Sequence, residues 1–476
     1  MNKVANIAKN TSYLTLALII QKIISFSYFI LLARYLGFES LGQYYTAISF
    51  TTIFSILIDL GFANALTREV AKYSEKASEM LSSVLSMKFV LAAGTLLLAL
   101  LVAFFAYDLR LVLLIAVSAL SMVLDSFTAT FFAVIRGFHN LKYESISSVI
   151  FQLIVFIAGY AVLRSGGPMT LLLGTLVLAS AFNFIYSALI LRTKLGVSLK
   201  PKWQAKIARQ VFAISWPFAL YNVFQRLFTY LDSLLLGFYS GFVQVGIYQI
   251  AFKIIFALQF LPMAFTASLY PAMSSYWLNN RDQLRISFER AINYLIIISL
   301  PIIFGVFSLA EEIVPLFKAG DEAVWPLRIS IVALFFIFLN FPLGSLLNAC
   351  DRQRRNTRNM GLAAIASILL NLLLIPRWQA LGASMTVLAS NCLMLILGAI
   401  SARGLISYSP KKNLIVLVKS LGASMLMGVA AYYGGQRINV FLAVIAGAAV
   451  YFASLFALGG LRKADIISIA SSFKRV

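Results

Sequence analysis

The sequence contains apolar stretches of about 20 residues, one after another, along nearly its whole length. A helix of that length crosses about 30 Å of hydrocarbon, the core of a lipid bilayer. Hydrophobic residues make up 61% of the chain and charged residues only 12%, against roughly 25% charged residues in soluble proteins. The pattern therefore predicts an all-α polytopic membrane protein, because a membrane β-barrel has short alternating segments instead.

We predict fourteen transmembrane helices joined by mostly short turns. Their approximate ranges are 11–33, 41–63, 83–106, 110–134, 146–163, 169–191, 211–238, 243–271, 289–309, 327–350, 358–376, 380–402, 412–434 and 439–460. The turns leave no room for a folded domain outside the membrane, where a glycan polymerase or ligase would usually build its active site. Walker, HExxH and GxSxG motifs are absent from the sequence, so we expect a protein that is not an enzyme.

Lysine and arginine are unevenly distributed between the predicted loops. With the N-terminus inside, the inner segments hold 28 of the 39 basic residues, the outer segments hold 7, and four lie within spans. Cytoplasmic loops carry such an excess, so we expect a multi-pass protein of the cytoplasmic (inner) membrane with both termini cytoplasmic. The same bias explains most of the net charge of +22, and we expect no nucleic-acid partner.

The two halves of the chain repeat each other at an offset of 204 residues. Matching pairs are Gln21 and Gln225, Lys22 and Arg226, Gly37 and Gly241, Gly42 and Gly246, and Tyr44 and Tyr248. Each copy contains six predicted helices, an even number. The copies therefore share one orientation and are related by a pseudo-two-fold axis along the membrane normal.

This repeat predicts two six-helix lobes around a central cavity, followed by two extra C-terminal helices. The predicted domains are an N-lobe at 1–191, a basic cytoplasmic linker at 192–210, a C-lobe at 211–402, and a segment at 403–476 with helices 13 and 14 and a basic cytoplasmic tail. The linker carries six basic residues. We expect it to lie on the membrane surface, where anionic lipids attract it.

Three cations, Lys22, Arg226 and Lys253, lie deep within predicted helices 1, 7 and 8. A charge at the bilayer centre costs about 2.5–3.5 kcal/mol on insertion scales, so it usually faces a protein interior or a water-filled cavity. Arginine binds phosphate through two parallel hydrogen bonds and lysine binds it as a point charge, so the three cations suit a phosphate-bearing substrate. Structural ion pairing is the alternative. Polar neighbours expected at the same binding surface are Gln21, Gln225, Asn222 and Gln249.

Four other charged residues are candidates for gating or ion coupling: Asp59, Asp125, Asp232 and Arg68. A carboxylate within or beside a membrane helix can bind a proton or Na⁺ during transport, or can pair with a cation of the protein. Both roles stay open at this point. With one histidine and two cysteines in the chain, we expect no metal site and no cofactor. Transport would draw on an H⁺ or Na⁺ gradient or on the membrane potential.

Several short motifs resemble those of a known transporter family. They are Leu32-Ala33-Arg34-Tyr35-Leu36-Gly37, Leu41-Gly42-Gln43-Tyr44, Asp59-Leu60-Gly61, Tyr270-Pro271-Ala272-Met273, the polar turn from Asn348 to Arg355, and Leu381-Gly382-Ala383-Ser384. In order and spacing they are similar to Wzx-type polysaccharide and O-antigen flippases, in the multidrug/oligosaccharidyl-lipid/polysaccharide superfamily. The resemblance covers nearly the whole chain.

This resemblance implies two six-helix lobes around a V-shaped cavity and movement of undecaprenyl-diphosphate-linked oligosaccharides to the outer leaflet. It also implies that helices 13 and 14 form a groove for the lipid tail. Expected partners are the lipid-linked glycan, membrane lipids and polysaccharide polymerase or assembly proteins. The alternatives are a lipid II flippase, a MATE-type exporter of small molecules and, more distantly, a membrane O-antigen polymerase or ligase.

Overall fold

The computed structural model describes residues 3–406 and 410–460, and this part of the chain is α-helical with three short 3₁₀ turns and no strand. The predicted tail beyond residue 460 lies outside the described residues. The helices are α1 (Lys3–Tyr35), α2 (Phe38–Asp59), α3 (Phe62–Lys72), α4 (Ala77–Ala106), α5 (Leu109–Gly137), α6 (Lys142–Arg164), α7 (Met169–Lys194), α8 (Ala205–Ser240), α9 (Phe242–Leu258), α10 (Phe260–Asn279), α11 (Arg281–Ser308), α12 (Ala310–Ile313), α13 (Val324–Ala349), α14 (Gln353–Ala402), α15 (Pro410–Gly435) and α16 (Val440–Ala457).

Twelve segments of the described chain are long and apolar enough to cross a membrane, which confirms the all-α membrane fold. Fourteen spans are not confirmed, for two reasons. The predicted range 211–238 lies in α8, which is not among the twelve, and the ranges 358–376 and 380–402 share α14. At about 1.5 Å per residue, this 50-residue helix would measure about 75 Å, far more than one bilayer core. Its backbone leaves helical geometry at Gln379 (φ 50°, ψ −127°), between the predicted spans 358–376 and 380–402.

The first compact unit contains the residues up to Gln249 together with Ile368–Gln379. Its core is built by α2, α3, α4, α5 and α7, and buried side chains at the centre include Ile58, Phe62, Leu66, Leu81 and Phe131. The two lobes predicted from the sequence repeat, with a linker at 192–210, stay a prediction.

A tight turn after α2 sets the position of α3. Leu60 (φ 40°) and Gly61 (φ 78°) both have left-handed backbone, which a non-glycine residue adopts at a cost. A Cβ at Gly61 would lie 2.6 Å from the carbonyl oxygen of Ser215 in α8. Glycine is therefore required there both by the backbone angle and by the close approach of α8.

The basic segment between α7 and α8 is attached to the start of α4. The backbone N–H of Lys202 donates to the Ser82 carbonyl at 3.2 Å, and the Ser83 hydroxyl donates to the Gln204 carbonyl at 3.2 Å. Helix α8 begins at Ala205, six residues before the predicted span. These bonds hold residues 195–204 against α4. The position of this segment on the membrane surface stays a prediction.

The second compact unit contains Ile250–Ser367 and the described residues from Ala380 onward. Helix α11 packs against α13 and α15, and α15 packs against α16. Its core is almost wholly aliphatic and aromatic, with Leu295, Ile331, Leu334, Phe338 and Leu346 buried. Burial of such side chains contributes about 1.5–3 kcal/mol each in water.

Candidate functional site

Arg226 occupies a polar stripe on α8, in the first unit. Helix α8 is continuous from Ala205 to Ser240, so Asn222, Arg226, Thr229 and Ser233 lie on one face, as their spacing predicts. Arg226 and Asn222 are half-buried. No carboxylate lies within ion-pair distance of Arg226 among the described residues; its recorded electrostatic neighbour is the phenol of Tyr230. The guanidinium is thus left without an anionic partner from this part of the chain.

Lys22 and Gln21, the repeat partners of Arg226 and Gln225, lie in α1, also in the first unit. Both residues of the α1 doublet are half-buried, whereas Gln225 is exposed on α8. Tyr28, two turns further along α1, is buried. Each repeat therefore has one half-buried cation within a predicted membrane span, Lys22 in α1 and Arg226 in α8.

Lys253 belongs to the second unit, in α9. Its ammonium lies over the rings of Phe252 and Phe256, at 5.7 and 6.0 Å from their centroids, and the side chain is half-buried. Cation–π contacts of this kind stabilise a partly desolvated charge. The convergence of Lys253 with Lys22 and Arg226 on one substrate stays a prediction.

Asp232 is buried in the first unit and is held by hydrogen bonds rather than by a cation. The Tyr248 hydroxyl of α9 donates to one carboxylate oxygen, and the backbone N–H of Ser233 donates to the other at 2.7 Å. Gln249 donates through Nε2 to the Ser233 hydroxyl at 3.0 Å. Within the described residues no lysine or arginine forms an ion pair with Asp232, so the ion-pair alternative does not apply to this carboxylate.

Gln249 is buried as well, and its Oε1 atom has no hydrogen-bond partner among the described residues. Its amide nitrogen contributes to the packing of α9 on α8. Its predicted part in headgroup binding stays a prediction.

Asp59 pairs with Lys88, which is one of the 28 basic residues assigned above to the inner segments. Lys88 lies within α4 and is 0% exposed. Its ammonium is 3.3 Å from Asp59 Oδ1 and donates to the Ser126 carbonyl at 2.6 Å and to the Thr130 hydroxyl at 2.7 Å. The count of Lys88 as an inner-loop residue is therefore wrong. Its position five residues inside the predicted span 83–106 indicated from the sequence that Lys88 lies in a helix and not in a loop.

Two of the gating candidates are exposed. Asp125 is exposed on α5, within a predicted membrane span. Arg68 projects from α3, where its side chain is 57% exposed and lies 3.9 Å from Glu69. An exposed carboxylate on a membrane helix is costly against lipid, so Asp125 suits a water-filled cavity. Among the described residues no group of three His, Cys, Asp or Glu side chains could hold a metal ion.

An apolar groove lies in the second unit between α11, α15 and α16. Its volume is about 410 Å³, and its walls include Ile297, Pro301, Met427, Ala448, Tyr451 and Phe452. The one hydroxyl on this wall, from Tyr451, donates to the Ile297 carbonyl at 2.7 Å, which leaves an apolar lining. Helices α15 and α16, which are the predicted helices 13 and 14, thus form part of an apolar groove. The resemblance implied a groove at these two helices.

Comparison with known proteins adds relatives of similar length. The chain is 24% identical over 473 residues to the uncharacterized membrane protein MJ1068 of Methanocaldococcus jannaschii, covering 91% of each chain. It is 27% identical over 242 residues to the probable flippase AglR of Haloferax volcanii, covering 48% of this chain and 50% of that one. It is 22% identical over 405 residues to the capsular polysaccharide biosynthesis protein CapF of Staphylococcus aureus, covering 82% and 97%.

Among solved structures, the fold is similar to the lipid II flippase MurJ in an inward closed conformation. The TM-score is 0.78 at 14% identity, over 95% of this chain and 99% of that chain. A family model described as MatE matches residues 217–376. The model described as polysaccharide biosynthesis protein matches residues 7–277, which is more than half of the chain. The chain therefore belongs to the polysaccharide biosynthesis protein family.

Proposed function

We propose that this protein is a flippase that moves undecaprenyl-diphosphate-linked oligosaccharides from the inner to the outer leaflet of the cytoplasmic membrane. The observation that carries the proposal is Arg226, a half-buried guanidinium in α8, within the predicted span 211–238, with no carboxylate within ion-pair distance among the described residues. Its repeat partner Lys22 supplies a second half-buried cation. Family membership and the names of the relatives, a probable flippase and a capsular polysaccharide biosynthesis protein, support the same function.

The headgroup chemistry follows from these cations. A diphosphate carries its charge on oxygens that accept two parallel hydrogen bonds from one guanidinium, and a nearby ammonium adds a point charge. Asn222 and Gln225 lie within one turn of Arg226 and supply amide groups suited to sugar hydroxyls. A diphosphate at this depth without such partners would bear a large desolvation cost. Lys253, in the second unit, is also proposed to bind substrate.

The apolar groove of the second unit supports the lipid side of the substrate. Its dry lining and its volume of about 410 Å³ suit several isoprene units of a polyprenyl tail. Each buried CH₂ contributes about 0.8 kcal/mol relative to water, but almost nothing relative to bilayer lipid. The groove would therefore orient the tail without binding it tightly, which allows release.

Translocation would proceed by alternating access. The headgroup would enter a cavity open to the cytoplasm, meet the cations, and leave when the cavity opens to the other side. Prolines inside α8 (Pro217), α11 (Pro301) and α13 (Pro342) support bending of these helices, because each removes a backbone hydrogen bond.

Asp232 is our proposed coupling residue for H⁺ or Na⁺, since it is a buried carboxylate with no cation beside it in the described chain. Without the buried Lys88, 27 basic residues are on the inner side and 7 on the outer side, which supports cytoplasmic termini.

The test is flipping in proteoliposomes that contain a fluorescent undecaprenyl-diphosphate-linked oligosaccharide. We expect Arg226→Ala and Lys22→Ala to slow flipping about tenfold or more, since a charge-assisted bond of about 1.5–3 kcal/mol is lost. Arg209→Ala and Arg34→Ala are matched controls, because each removes an exposed cation from the same helix, α8 or α1. Equal rates for Arg226→Ala, Lys22→Ala and wild type, with unchanged thermal stability, would remove the basis of the proposal.

A lipid II flippase is the second candidate function, because the fold is similar to MurJ over nearly the whole chain. Lipid II shares the diphosphate and the polyprenyl tail, so the same site would serve it. The two candidates separate when lipid II and a longer oligosaccharide carrier are compared in the same vesicles. Faster flipping of lipid II would favour the second candidate, and preference for the longer glycan would favour the first.

A further inference from the structure

Arginine predominates among the cations on one end of the second unit, although the start of α15, next to this end, contains Lys411 and Lys412. Three segments form this end: the α10–α11 turn with the start of α11 (280–290), the α13–α14 turn with the start of α14 (350–358), and the end of α14 (401–406). Together they contain eight arginines, three acidic residues and no lysine. We call these three segments the arginine surface.

Packing and hydrogen bonds hold the three segments together. Cys350 belongs to the same buried core as the start of α11, and its thiol interacts electrostatically with Arg281. Arg355 donates from Nη1 to the Ser401 carbonyl at 3.3 Å. Asn359 donates to the Ser401 hydroxyl at 2.8 Å. The arginine surface is therefore a built part of the fold and not a set of loose loops.

Several of its guanidinium groups are open to a ligand. Arg354 and Arg358 are exposed and lie four residues apart on α14, so they share a helix face. Neither has an ion-pair partner among the described residues. Arg281 stacks on the indole of Trp277, with its guanidinium carbon 3.3 Å from the ring centroid. Stacking fixes the guanidinium plane and leaves its N–H edges free to donate.

The basic segments of the first unit have the opposite composition. Residues 68–76 and 192–209 together contain six lysines and three arginines. Lysine and arginine serve equally well to keep a segment on the cytoplasmic side, so orientation alone does not explain this excess of arginine over lysine. Arginine differs in its rigid fork of donors, which matches two oxygens of a phosphate. The composition therefore points to a phosphate ligand.

An exposed aliphatic side chain adjoins this surface. Leu278 is 79% exposed and directly follows the stacked Trp277. The turns at Asn280 and 350–352 connect membrane-spanning helices, so they lie near the headgroup region, where tryptophan is enriched. A ligand at this place meets guanidinium groups and, beside them, an apolar side chain. A phospholipid has that arrangement, whereas a soluble inorganic phosphate has no apolar part.

We propose that the arginine surface is a binding site for the phosphate headgroup of an anionic phospholipid, with Leu278 against its acyl chain. The site lies in the second unit and does not depend on the proposed transport function. Arg354 and Arg358 bind the headgroup phosphate, and stacked Arg281 supplies a third contact. Lipid bound there stabilises the fold of this unit by joining α10, α11 and α14.

The experiment measures the thermal unfolding midpoint of the full-length protein in detergent with added phosphatidylglycerol or phosphatidylcholine. We expect phosphatidylglycerol to raise the midpoint of wild type by several degrees and phosphatidylcholine to have little effect. The variant Arg281→Gln/Arg354→Gln/Arg358→Gln is expected to lose more than half of that rise. The matched control Lys200→Gln/Lys202→Gln/Lys206→Gln removes three cations from the first unit and is expected to keep the rise.

Further arms separate the sources of the effect. Arg354→Gln/Arg358→Gln changes two side chains that make no ion pair in the described fold, so it remains usable where the triple variant does not fold. Leu278→Ser is expected to reduce the rise, and inorganic phosphate at millimolar concentration is expected to give none. Equal loss in the lysine control would show a general charge effect and overturn the site. An equal rise with inorganic phosphate would overturn the lipid assignment.

Discussion

Gly42 of α2 and Gly246 of α9, which are 204 residues apart in the sequence, each lie against the backbone of the other's helix. A Cβ at Gly42 would overlap the carbonyl oxygen of Phe242, and a Cβ at Gly246 would overlap that of Phe38. The two phenylalanines are themselves 204 residues apart. The internal repeat therefore appears in the first unit as a symmetric contact between equivalent helices.

Substitution of either glycine by leucine should disrupt this contact. Backbone oxygen atoms cannot move aside as flexible side chains do, so we expect Gly42→Leu and Gly246→Leu each to destabilise the protein by about 1–3 kcal/mol or more. Gly94→Leu is the matched control, because Gly94 lies in α4 with no atom within 4 Å of its Cβ position. Thermal unfolding in detergent measures the difference. A control variant as unstable as the other two would contradict the close-contact explanation.

The glycine contact also shows what the sequence could predict. Apolar run length specifies membrane helices, and the repeat pairs Gly42 with Gly246 by simple alignment. The alignment does not show that the two glycines touch each other, because two equivalent residues of a repeat can also contact separate, equivalent neighbours. That fact depends on the packing of α2 against α9, which is a tertiary property.

The charged residues were harder to predict, since their partners are far away in the sequence. Asp59 and Lys88 are 29 positions apart and meet only because α2 ends beside the middle of α4. Pairing with a cation was one of two roles open for Asp232, but its partners are Tyr248 and Ser233. A count of cations by predicted span cannot distinguish a loop lysine from a buried one near a helix end.

The buried pair of Lys88 and Asp59 should respond unequally to loss of either partner. Asp59→Asn leaves a fully buried ammonium without its carboxylate, which costs about 3 kcal/mol or more. Lys88→Met leaves Asp59, whose side chain is 27% exposed and can be hydrated. We therefore expect Asp59→Asn to lower the unfolding midpoint more than Lys88→Met. Equal effects, measured in the same detergent, would mean that water reaches Lys88.

The thiol of Cys350 should be unreactive at neutral pH. Desolvation by burial raises its pKa to about 11, partly offset by the positive charges of Arg281 and Arg352. Since the thiolate is the reactive form, maleimide labelling of the Cys392→Ser variant should be very slow at pH 7 and increase toward pH 10. The Cys350→Ser variant, which retains half-buried Cys392, serves as the comparison. Rapid labelling of Cys350 at pH 7 would show that the α13–α14 turn opens in solution.

Asp232 provides the sharpest test of ion coupling. Tyr28 and Tyr44 occupy the equivalent positions to Asp232 and Tyr248 in the first copy of the repeat, and both are buried. The second copy of the repeat thus has a carboxylate, Asp232, where the first copy has the phenol of Tyr28. Only the second copy therefore has a group at this position that can exchange H⁺ or bind Na⁺.

We expect Asp232→Asn to preserve the fold, because the amide oxygen can still accept from the Ser233 N–H and the amide nitrogen can donate to the Tyr248 hydroxyl oxygen. Flipping by this variant should lose its response to an imposed H⁺ or Na⁺ gradient in proteoliposomes, while wild type is accelerated by one of the two. Tyr28→Phe is the control, since it removes a hydroxyl at the equivalent position without touching a carboxylate. An undiminished gradient response in Asp232→Asn would mean that coupling lies elsewhere, and exposed Asp125 on α5 would then be the next residue to test.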